Sequence, residues 1–343
     1  LIWSLLITSL ATSTIITMAS NHWLLAWLGL ELNTLSILPI MMNNPHPRAT
    51  EATIKYFIIQ TTAAASILFA STLNAWQTGH WSLTTTTTTI TINLTTIALT
   101  LKLGLAPAHL WYPEVLQGMT LHTATLISTW QKIAPLTLLY LMHNSLNPYL
   151  MMTISLLSTI VGGWTGLNQT QTRKIMAFSS IAHMGWLFAA LTLNQTLTTL
   201  TICTYLITTT TMFFILALTT TKTITDINTT WALSPTTAAI MMTTLMSLGG
   251  LPPLTGFMPK WLILKDLTTS NLLPMGIALL ATSLPSLFFY TRMAYMTVLT
   301  TPPTTTHTHL SWRTQTPWQP TLTPLATAAS LTLPLTTTLY YTP

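Results

Sequence analysis

Charged side chains are scarce in this sequence. Its 343 residues include 11 Lys and Arg and 5 Asp and Glu, or 5% of the chain, whereas soluble domains carry about 25%. Half of the residues are apolar, and the mean hydropathy is +0.55. The chain lacks the charge that covers a water-facing surface, and it also lacks the polar, charge-rich composition of disordered proteins. The composition excludes both classes and predicts a membrane protein.

Cysteine and the common cofactor motifs are also scarce. The single cysteine, Cys203, excludes an intrachain disulfide, a zinc site with several cysteine ligands and an iron–sulfur cluster held by this chain alone. The sequence contains no Gly-x-Gly-x-x-Gly and no phosphate-binding glycine loop, so we expect no cofactor bound to this chain. The net charge of +6 is not gathered into a basic run, and nucleic acid is therefore not an expected partner.

Long apolar blocks alternate with short polar segments along the whole chain. A spanning helix takes about 20 residues, and these blocks are too long and too continuous for the alternating strands of a barrel. The chain begins inside such a block, without a basic flank or a small-residue cleavage site, so we interpret it as a spanning helix rather than a signal peptide. The sequence predicts an all-α polytopic membrane protein with about eleven transmembrane helices. The predicted spans are 1–19, 21–42, 53–77, 88–111, 119–143, 147–167, 175–193, 197–219, 236–267, 271–297 and 322–341.

Basic residues near the ends of these spans predict the orientation. One side of a membrane protein carries an excess of lysine and arginine in its loops. The loops after odd-numbered spans contain few basic residues, mainly Lys265. With eleven spans, the N-terminus is expected on the positive side and the C-terminus on the other. The basic residues in or beside the loops after even-numbered spans are Arg48, Lys55, Arg173, Lys174, Lys222, Arg292 and Arg313.

Threonine makes up 74 of the 343 residues. In a helix its hydroxyl can donate a hydrogen bond to the carbonyl three or four residues earlier. Threonine then buries little unsatisfied polarity and can replace valine or isoleucine in lipid. We therefore expect the threonines to be compatible with spanning helices rather than to mark a site.

Four ionisable residues lie deep within predicted spans. Glu31 is about ten residues into the second span, which places it about 15 Å deep in a hydrocarbon core of about 30 Å. Lys102, Lys132 and Lys260 lie within the fourth, fifth and ninth spans. A charged group at such depth costs about 2.5–3.5 kcal/mol or more, and it usually pairs or moves a proton or an ion. A desolvated lysine can release its proton near neutral pH, and a neighbouring carboxylate opposes that release. These four residues are the predicted proton-transfer groups.

Glycine and proline interrupt two of the same spans. Gly104 and Pro107 follow Lys102 in the fourth span, whereas Gly250, Pro252 and Pro253 precede Lys260 in the ninth. Broken backbone at membrane depth is tolerated only where protein or water satisfies it. These are the fourth helices of two successive sets of five, at 1–143 and 147–297, and matching interruptions in two halves indicate an inverted repeat of the transporter type. Residues 298–343 are expected to form a polar loop and a final helix within the same membrane domain.

Two histidines are weaker candidates. His109 follows the first interruption, and His183 lies in the middle of the seventh span. Either side chain could relay protons. A packing histidine with a hydrogen bond is an equally good interpretation of each.

Eight ordered segments across residues 21–297 are distinctive. They are WLGLELN at 27–33, PRATEATIKYF at 47–57, KLG at 102–104, HLWYPEV at 109–115, WQK at 130–132, GLNQTQTRKI at 166–175, SSIAHMGW at 179–186 and GGLPPLTGFMPKW at 249–261. Together these segments resemble the chain 2 family of mitochondrial NADH–ubiquinone oxidoreductase, respiratory complex I. The last forty residues match that family only in character.

The resemblance implies an antiporter-like core subunit of the membrane arm, in the inner mitochondrial membrane, with eleven helices. It implies proton translocation coupled to NADH oxidation and ubiquinone reduction, through Glu31, Lys102, Lys132 and Lys260. The positive face would be the matrix side. Lipids and the other membrane-arm and accessory subunits would be its partners, and the chain would not function alone. FMN, the iron–sulfur clusters and ubiquinone would be bound elsewhere in the complex.

Two other functions fit part of the pattern. A stand-alone cation/proton antiporter could use the same Glu and Lys residues without a larger complex. A scaffold that fills the membrane arm without pumping would need no ionisable group at mid-membrane, and an apolar helix bundle would be more stable without four of them.

Overall fold

The structure is a computed structural model that describes residues 2–43, 46–83, 88–299 and 322–335, together with residues 338 and 340. The regular elements in this part of the chain are helices, and two isolated β-bridges join His22 to Ser82 and Gln171 to Thr223. The predicted all-helical class is confirmed. The α-helices are α1 (Ile2–Ala19), α2 (Trp23–Met41), α3 (Pro47–Thr78), α4 (Thr89–Leu103), α5 (Trp111–Gly118), α6 (Leu121–Ser128), α7 (Trp130–Leu141), α8 (Pro148–Gly166), α9 (Thr172–Leu193), α10 (Gln195–Thr219), α11 (Thr230–Leu233), α12 (Pro235–Gly249), α13 (Phe257–Thr269), α14 (Leu273–Val298) and α15 (Leu322–Leu331).

Five of these helices are long and apolar enough to cross a membrane: α2, α3, α9, α10 and α14. Three shorter apolar helices are α1, from Trp3 onward, α4 and α15. Large apolar side chains such as Leu5, Phe69 and Phe288 are exposed, which suits contact with lipid rather than with water. The count of eleven spans and the inverted repeat remain predictions.

The chain divides into two compact units, Leu1–Ser158 and Thr159–Pro343, and the division falls within α8. In the first unit, α1 packs on α2, and α3 packs on α2, α4 and α5. In the second unit, α10 packs on α9, α12 and α15, and α12 packs on α14. The predicted polar loop after residue 298 lies largely at 300–321, outside the described residues. In the predicted last span, α15 ends at Leu331, and a 3-10 turn follows at Leu333–Leu335.

Threonine hydroxyls hydrogen-bond within their own helices, as predicted. Thr17, Thr95 and Thr211 each donate to the carbonyl three residues earlier, at 2.7, 2.8 and 2.8 Å. Thr219 donates to the carbonyl of Ile215, four residues earlier, at 2.9 Å. The buried hydroxyls are thereby satisfied locally, and the threonines fit apolar helices.

Helix α3 begins six residues before the predicted third span. Its first residue is Pro47, and the ring of His46 accepts a hydrogen bond from the N–H of Arg48 at 3.2 Å. A proline at the first position and a side-chain cap before it favour this start. The added residues include Glu51, and Lys55 follows it by one helical turn. The Lys55 Nζ lies 2.6 Å from Glu51 and 2.7 Å from Glu114 of α5. This exposed ion-pair cluster joins α3 to α5.

The predicted fifth span is two helices rather than one. Helix α6 ends at Ser128, Thr129 has φ −115 and ψ −70, and α7 begins at Trp130. Pro135 lies inside α7 and has no N–H to donate to the carbonyl of Gln131. The hydrogen-bond ladder is therefore weakened in the first turn of α7, where Lys132 lies.

Candidate functional site

The first interruption is a tight helix C-terminus at Gly104. Helix α4 ends at Leu103, and Gly104 adopts φ 72. The N–H of Gly104 donates to Leu101 O at 3.2 Å, and the N–H of Leu105 donates to Thr100 O at 3.1 Å. This is the Schellman arrangement, which satisfies two of the last carbonyls of a helix. A side chain at Gly104 would also meet Tyr112 Cβ at 3.1 Å, so both the backbone angle and the space require glycine.

Lys102 lies in the last turn of α4 and is buried, with 6% of its surface exposed. The side chain of Gln60, from α3, donates to Lys102 O at 3.2 Å. The Nζ of Lys102 is buried without a hydrogen-bond partner among the described residues. The partial negative charge of a helix C-terminus favours a cation at this position, and it offsets part of the cost of burying the amine.

Glu31 lies in α2 of the same unit and is half-buried. Its Oε2 is buried and has no hydrogen-bond partner in the described part of the chain. The carboxylate interacts electrostatically with Lys102. Since Lys102 Nζ makes no hydrogen bond to it, the two groups attract each other through the protein interior without a closed salt bridge.

Lys132 lies in the first turn of α7, with 3% of its surface exposed. Its Nζ lies 4.8 Å from the centroid of the Tyr112 ring, within the range of a cation–π interaction. Lys102 and Lys132 line one small cavity, together with Tyr56, Gln60 and Gln131 among others. The structure thus brings two predicted lysines to a common cavity in the first unit.

A series of hydrogen-bonded polar side chains lies beside this cavity, and it was not predicted from the sequence. Tyr56 OH donates to Gln131 Oε1 at 3.3 Å, and Gln131 Nε2 donates to Asn33 Oδ1 at 3.1 Å. Asn33 lies two residues from Glu31, and Gln131 lies next to Lys132. The sequence offered one signal for this series, which is an amide side chain within two residues of Glu31 and of Lys132. No such signal marked Tyr56 or Gln60.

His109 and Pro107 lie in the turn after α4. The Nδ1 of His109 is 3.1 Å from Pro107 O, and the His109 side chain is half-exposed. His109 is not among the residues that line the cavity of Lys102 and Lys132. The structure therefore gives this histidine a local backbone contact and does not bring it to that cavity.

The second interruption repeats the first at Gly250. Helix α12 ends at Gly249, and Gly250 adopts φ 82. The N–H of Gly250 donates to Ser247 O at 2.9 Å, and the N–H of Leu251 donates to Met246 O at 3.3 Å. Pro252 and Pro253 lie exposed in the turn that leads to α13.

Lys260 belongs to α13, but its amine reaches back to the end of α12. Its Nζ donates to Gly249 O at 3.0 Å and lies 6.0 Å from the Trp186 ring centroid. The cation again lies at a helix C-terminus, where the partial charge is negative. A Cβ added at Gly250 would lie 2.9 Å from Lys260 Nζ, so the absence of a side chain there leaves room for the amine.

His183 lies in α9 of the second unit, and its Nε2 is 3.1 Å from Tyr290 OH of α14. Two small cavities are each bordered by both His183 and Lys260. Tyr290 borders the second of these cavities. His183 and Lys260 are thus brought together in the second unit, and Tyr290 was not predicted from the sequence.

The described residues contain no group of three or more His, Cys, Asp or Glu placed to hold a metal ion. Cys203 is a free, exposed thiol. The predicted proton-transfer groups Glu31, Lys102, Lys132 and Lys260 are instead one carboxylate and three amines, and the imidazole of His183 borders the cavities of Lys260. Such groups accept and release protons.

Comparisons with known proteins place the chain in a defined family. The family model described as NADH:quinone oxidoreductase/Mrp antiporter, TM, matches residues 20–288. The model described as NADH dehydrogenase subunit 2 C-terminus matches residues 287–340.

Individual relatives agree with these models. The NADH-ubiquinone oxidoreductase chain 2 of Tetraodon nigroviridis is 50% identical over 94% of this chain and 92% of that protein, and the chain 2 of Carassius auratus is 49% identical over 91% and 90%. The structure of respiratory complex I from Thermus thermophilus with bound aureothin contains a chain with a TM-score of 0.84 and 24% identity, covering 98% of this chain and 77% of that one. That structural likeness shows the fold, which is the antiporter-like membrane fold.

Proposed function

The chain belongs to the NADH-ubiquinone oxidoreductase chain 2 family, and from that membership we propose that it is a core membrane-arm subunit of respiratory complex I. In this role it contributes to proton translocation across the inner mitochondrial membrane, coupled to NADH oxidation and ubiquinone reduction. Its partners are the other membrane-arm and accessory subunits and lipids. FMN, the iron–sulfur clusters and ubiquinone are bound by other subunits, so this chain carries no redox step.

The observation that best supports proton transfer is the cavity shared by Lys102 and Lys132. Two amines that border one cavity can exchange a proton through it, and each amine is neutral after release. Glu31 attracts the protonated form of Lys102, so a change in the charge or position of this carboxylate changes the tendency of Lys102 to give up its proton. Glu31 thereby converts an electrostatic change into proton release.

In the second unit, Lys260 and His183 perform the corresponding steps. The carbonyl of Gly249 holds the protonated amine of Lys260 at the end of α12. The imidazole of His183 borders the same two cavities and can accept that proton. We propose that Glu31, Lys102, Lys132 and Lys260 are the proton-transfer groups of the chain and that His183 is a relay. His109, which lies beside the first interruption, is a second candidate relay.

The orientation and the internal repeat are part of the same proposal. We propose that the N-terminus lies on the matrix side and the C-terminus on the intermembrane-space side, which the distribution of basic residues and the family membership support. The two interrupted helix pairs, α4 with α5 and α12 with α13, are the corresponding broken helices of two inverted sets of five. Residues 298–343 complete the single membrane domain.

Native electrophoresis tests whether the chain works inside the complex. Mildly solubilised membranes are separated, stained in the gel for NADH dehydrogenase activity and probed for this chain. We expect the chain only in the large stained band. A chain that runs alone and unstained would instead be a stand-alone antiporter, and ion flux in liposomes would then identify its cation.

A pair of lysine substitutions tests whether the chain pumps. Lys132→Met removes the amine at the cavity, and Lys265→Met removes an exposed lysine of α13. We expect Lys132→Met to slow the proton-transfer step by about 100-fold or more. The number of protons translocated per NADH oxidised, measured in sealed vesicles with the complex fully assembled, should fall as a result. Lys265→Met should leave this ratio unchanged. Normal translocation in an assembled Lys132→Met complex would support the scaffold function instead.

A further inference from the structure

We propose that Tyr290 is a positioning residue for His183 and that, through the His183 ring, it sets the rate of proton exchange with Lys260. This inference rests on the function proposed above for His183 and Lys260. Its first support is the contact of 3.1 Å between Tyr290 OH and His183 Nε2, which joins α14 to α9 across 107 residues of sequence.

The hydroxyl of Tyr290 has little choice of partners. Only 1% of the Tyr290 side chain is exposed, and a buried phenol oxygen almost always finds a hydrogen-bond partner within the protein. The Ser179 hydroxyl also interacts with this phenol, and it donates its own proton to Met176 O at 2.7 Å. Ser179 precedes His183 by one helical turn in α9, so both partners lie on the same face of that helix.

This pair of partners allows the imidazole to change its charge without losing its hydrogen bond. When His183 is neutral, Tyr290 can donate its O–H to Nε2, and the ring proton is then on Nδ1. When the ring takes up a proton, both nitrogen atoms are donors. Nε2 then donates to the Tyr290 oxygen, and the Tyr290 O–H turns to Ser179. The proton on the tyrosine stays with the tyrosine throughout, so Tyr290 orients the relay without entering the proton path.

The groups that surround His183 make Lys260 its proton partner. Three titratable side chains of the described residues share a cavity or a ring contact with the imidazole. They are Lys260 from α13, Tyr205 from α10 and Tyr290 from α14. The ring centroids of His183 and Tyr205 are 6.1 Å apart. Both cavities that border His183 also border Lys260, and Tyr290 borders one of them. Tyr290 thus holds the ring next to the space through which Lys260 exchanges its proton.

Tyr290→Phe in the assembled complex tests the proposal, because it removes only the hydroxyl. Tyr295→Phe is the matched control, since Tyr295 lies on the same helix and is 62% exposed. The readout is the rate of proton translocation and the number of protons per NADH oxidised in sealed vesicles, across about one pH unit on either side of the ordinary histidine value of about 6.5. We expect Tyr290→Phe to lower the translocation rate by about two- to tenfold, the effect of one lost hydrogen bond, and to move the pH of half-maximal rate. Tyr295→Phe should change neither.

His183→Gln and the double variant separate this proposal from the function on which it rests. If Tyr290 acts through the imidazole, Tyr290→Phe adds no further loss in a His183→Gln background. An additive loss, or a smaller amount of complex with an unchanged pH profile, would show a merely structural tyrosine and overturn the proposal. If His183→Gln lowers the translocation rate and Tyr290→Phe changes neither the rate nor its pH profile, the relay stands and only the role of Tyr290 is wrong. If His183→Gln leaves both the translocation rate and the number of protons per NADH unchanged, the relay itself is wrong, and the role of Tyr290 with it.

Discussion

The Nζ of Lys260 donates a hydrogen bond of 3.0 Å to the carbonyl oxygen of Gly249. The lysine belongs to α13 and the glycine is the last residue of α12, so this hydrogen bond links the two helices across the interruption. The cation lies at the negative end of α12, and the next residue, Gly250, has no side chain to displace it. In the first unit the arrangement differs, because Lys102 lies in the last turn of α4 itself, and Gln60 rather than a lysine contacts the helix end.

Gly250→Ala should damage translocation, whereas Gly79→Ala should not. Both glycines have φ above 70, and a non-glycine residue with a left-handed backbone costs about 1–2 kcal/mol. At Gly79 the added Cβ meets nothing within 4 Å, whereas at Gly250 it lies 2.9 Å from Lys260 Nζ. Thermal stability should fall by a similar amount in both variants, and the number of protons per NADH should fall only in Gly250→Ala. Equal ratios in the two variants would show that the position of the Lys260 amine is unimportant.

Gln60→Leu should loosen the end of α4. The substitution removes the donor to Lys102 O and leaves a buried carbonyl unpaired, at a cost of about 1–3 kcal/mol. We expect a lower melting temperature of the complex and slower proton translocation. Thr62→Val is the control, because Thr62 is exposed on the same helix. Its hydroxyl donates a hydrogen bond to Ile59 O within that helix. A stability loss as large in Thr62→Val would indicate a general effect of substitutions in α3.

Glu31→Gln should uncouple Lys102 from its carboxylate while keeping the side-chain volume. The negative charge that attracts the protonated Lys102 is lost, so the lysine releases its proton more readily and recaptures it less well. We expect proton translocation to fall by about tenfold or more, with normal assembly on native gels. Glu51→Gln removes an exposed carboxylate of α3 and should leave translocation near normal. A normal rate in Glu31→Gln would remove Glu31 from the proton path.

Asp226 gives the segment after α10 a pH-dependent stability. Its Oδ2 accepts the N–H of Thr223 at 2.9 Å and that of Lys222 at 3.1 Å, and the N–H of Thr223 holds the pKa of the Asp226 carboxyl below its ordinary value. Because the folded value is the lower one, the stabilisation is complete above the ordinary pKa of about 4 and is lost as the pH falls through the folded value. Hydrogen-exchange protection of the Lys222 and Thr223 amides should therefore decrease on acidification. In Asp226→Asn this decrease should be absent, and its persistence would assign it to another group.

Much of the fold follows from local features of the sequence. The length and the apolar composition of each block identify the helices, because a helix that lies in lipid needs a long and continuous apolar segment. The ends of α4 and α12 are encoded locally as well, since the glycine after each helix adopts a left-handed backbone that other residues avoid. The interruption at Thr129 was not predicted, because no glycine or proline lies at that position and Pro135 lies six residues further along the chain.

The charges within the predicted spans were visible in the sequence for the same reason. Glu31, Lys102, Lys132 and Lys260 stand out against an apolar background, where each charge is costly. Their depth requires no knowledge of the neighbouring helices. The chemistry assigned to them remains a prediction, which the substitutions above test.

The sequence by itself therefore determined the helical class, the helix ends at Gly104 and Gly250 and the identity of the ionisable residues within the apolar segments, because each depends on the residue and its near neighbours. Only the tertiary structure decided what those residues touch. Gln60 contacts Lys102 across 42 residues, and His183 contacts Tyr290 across 107. Such contacts depend on how separate helices pack, and no local pattern specifies which faces meet.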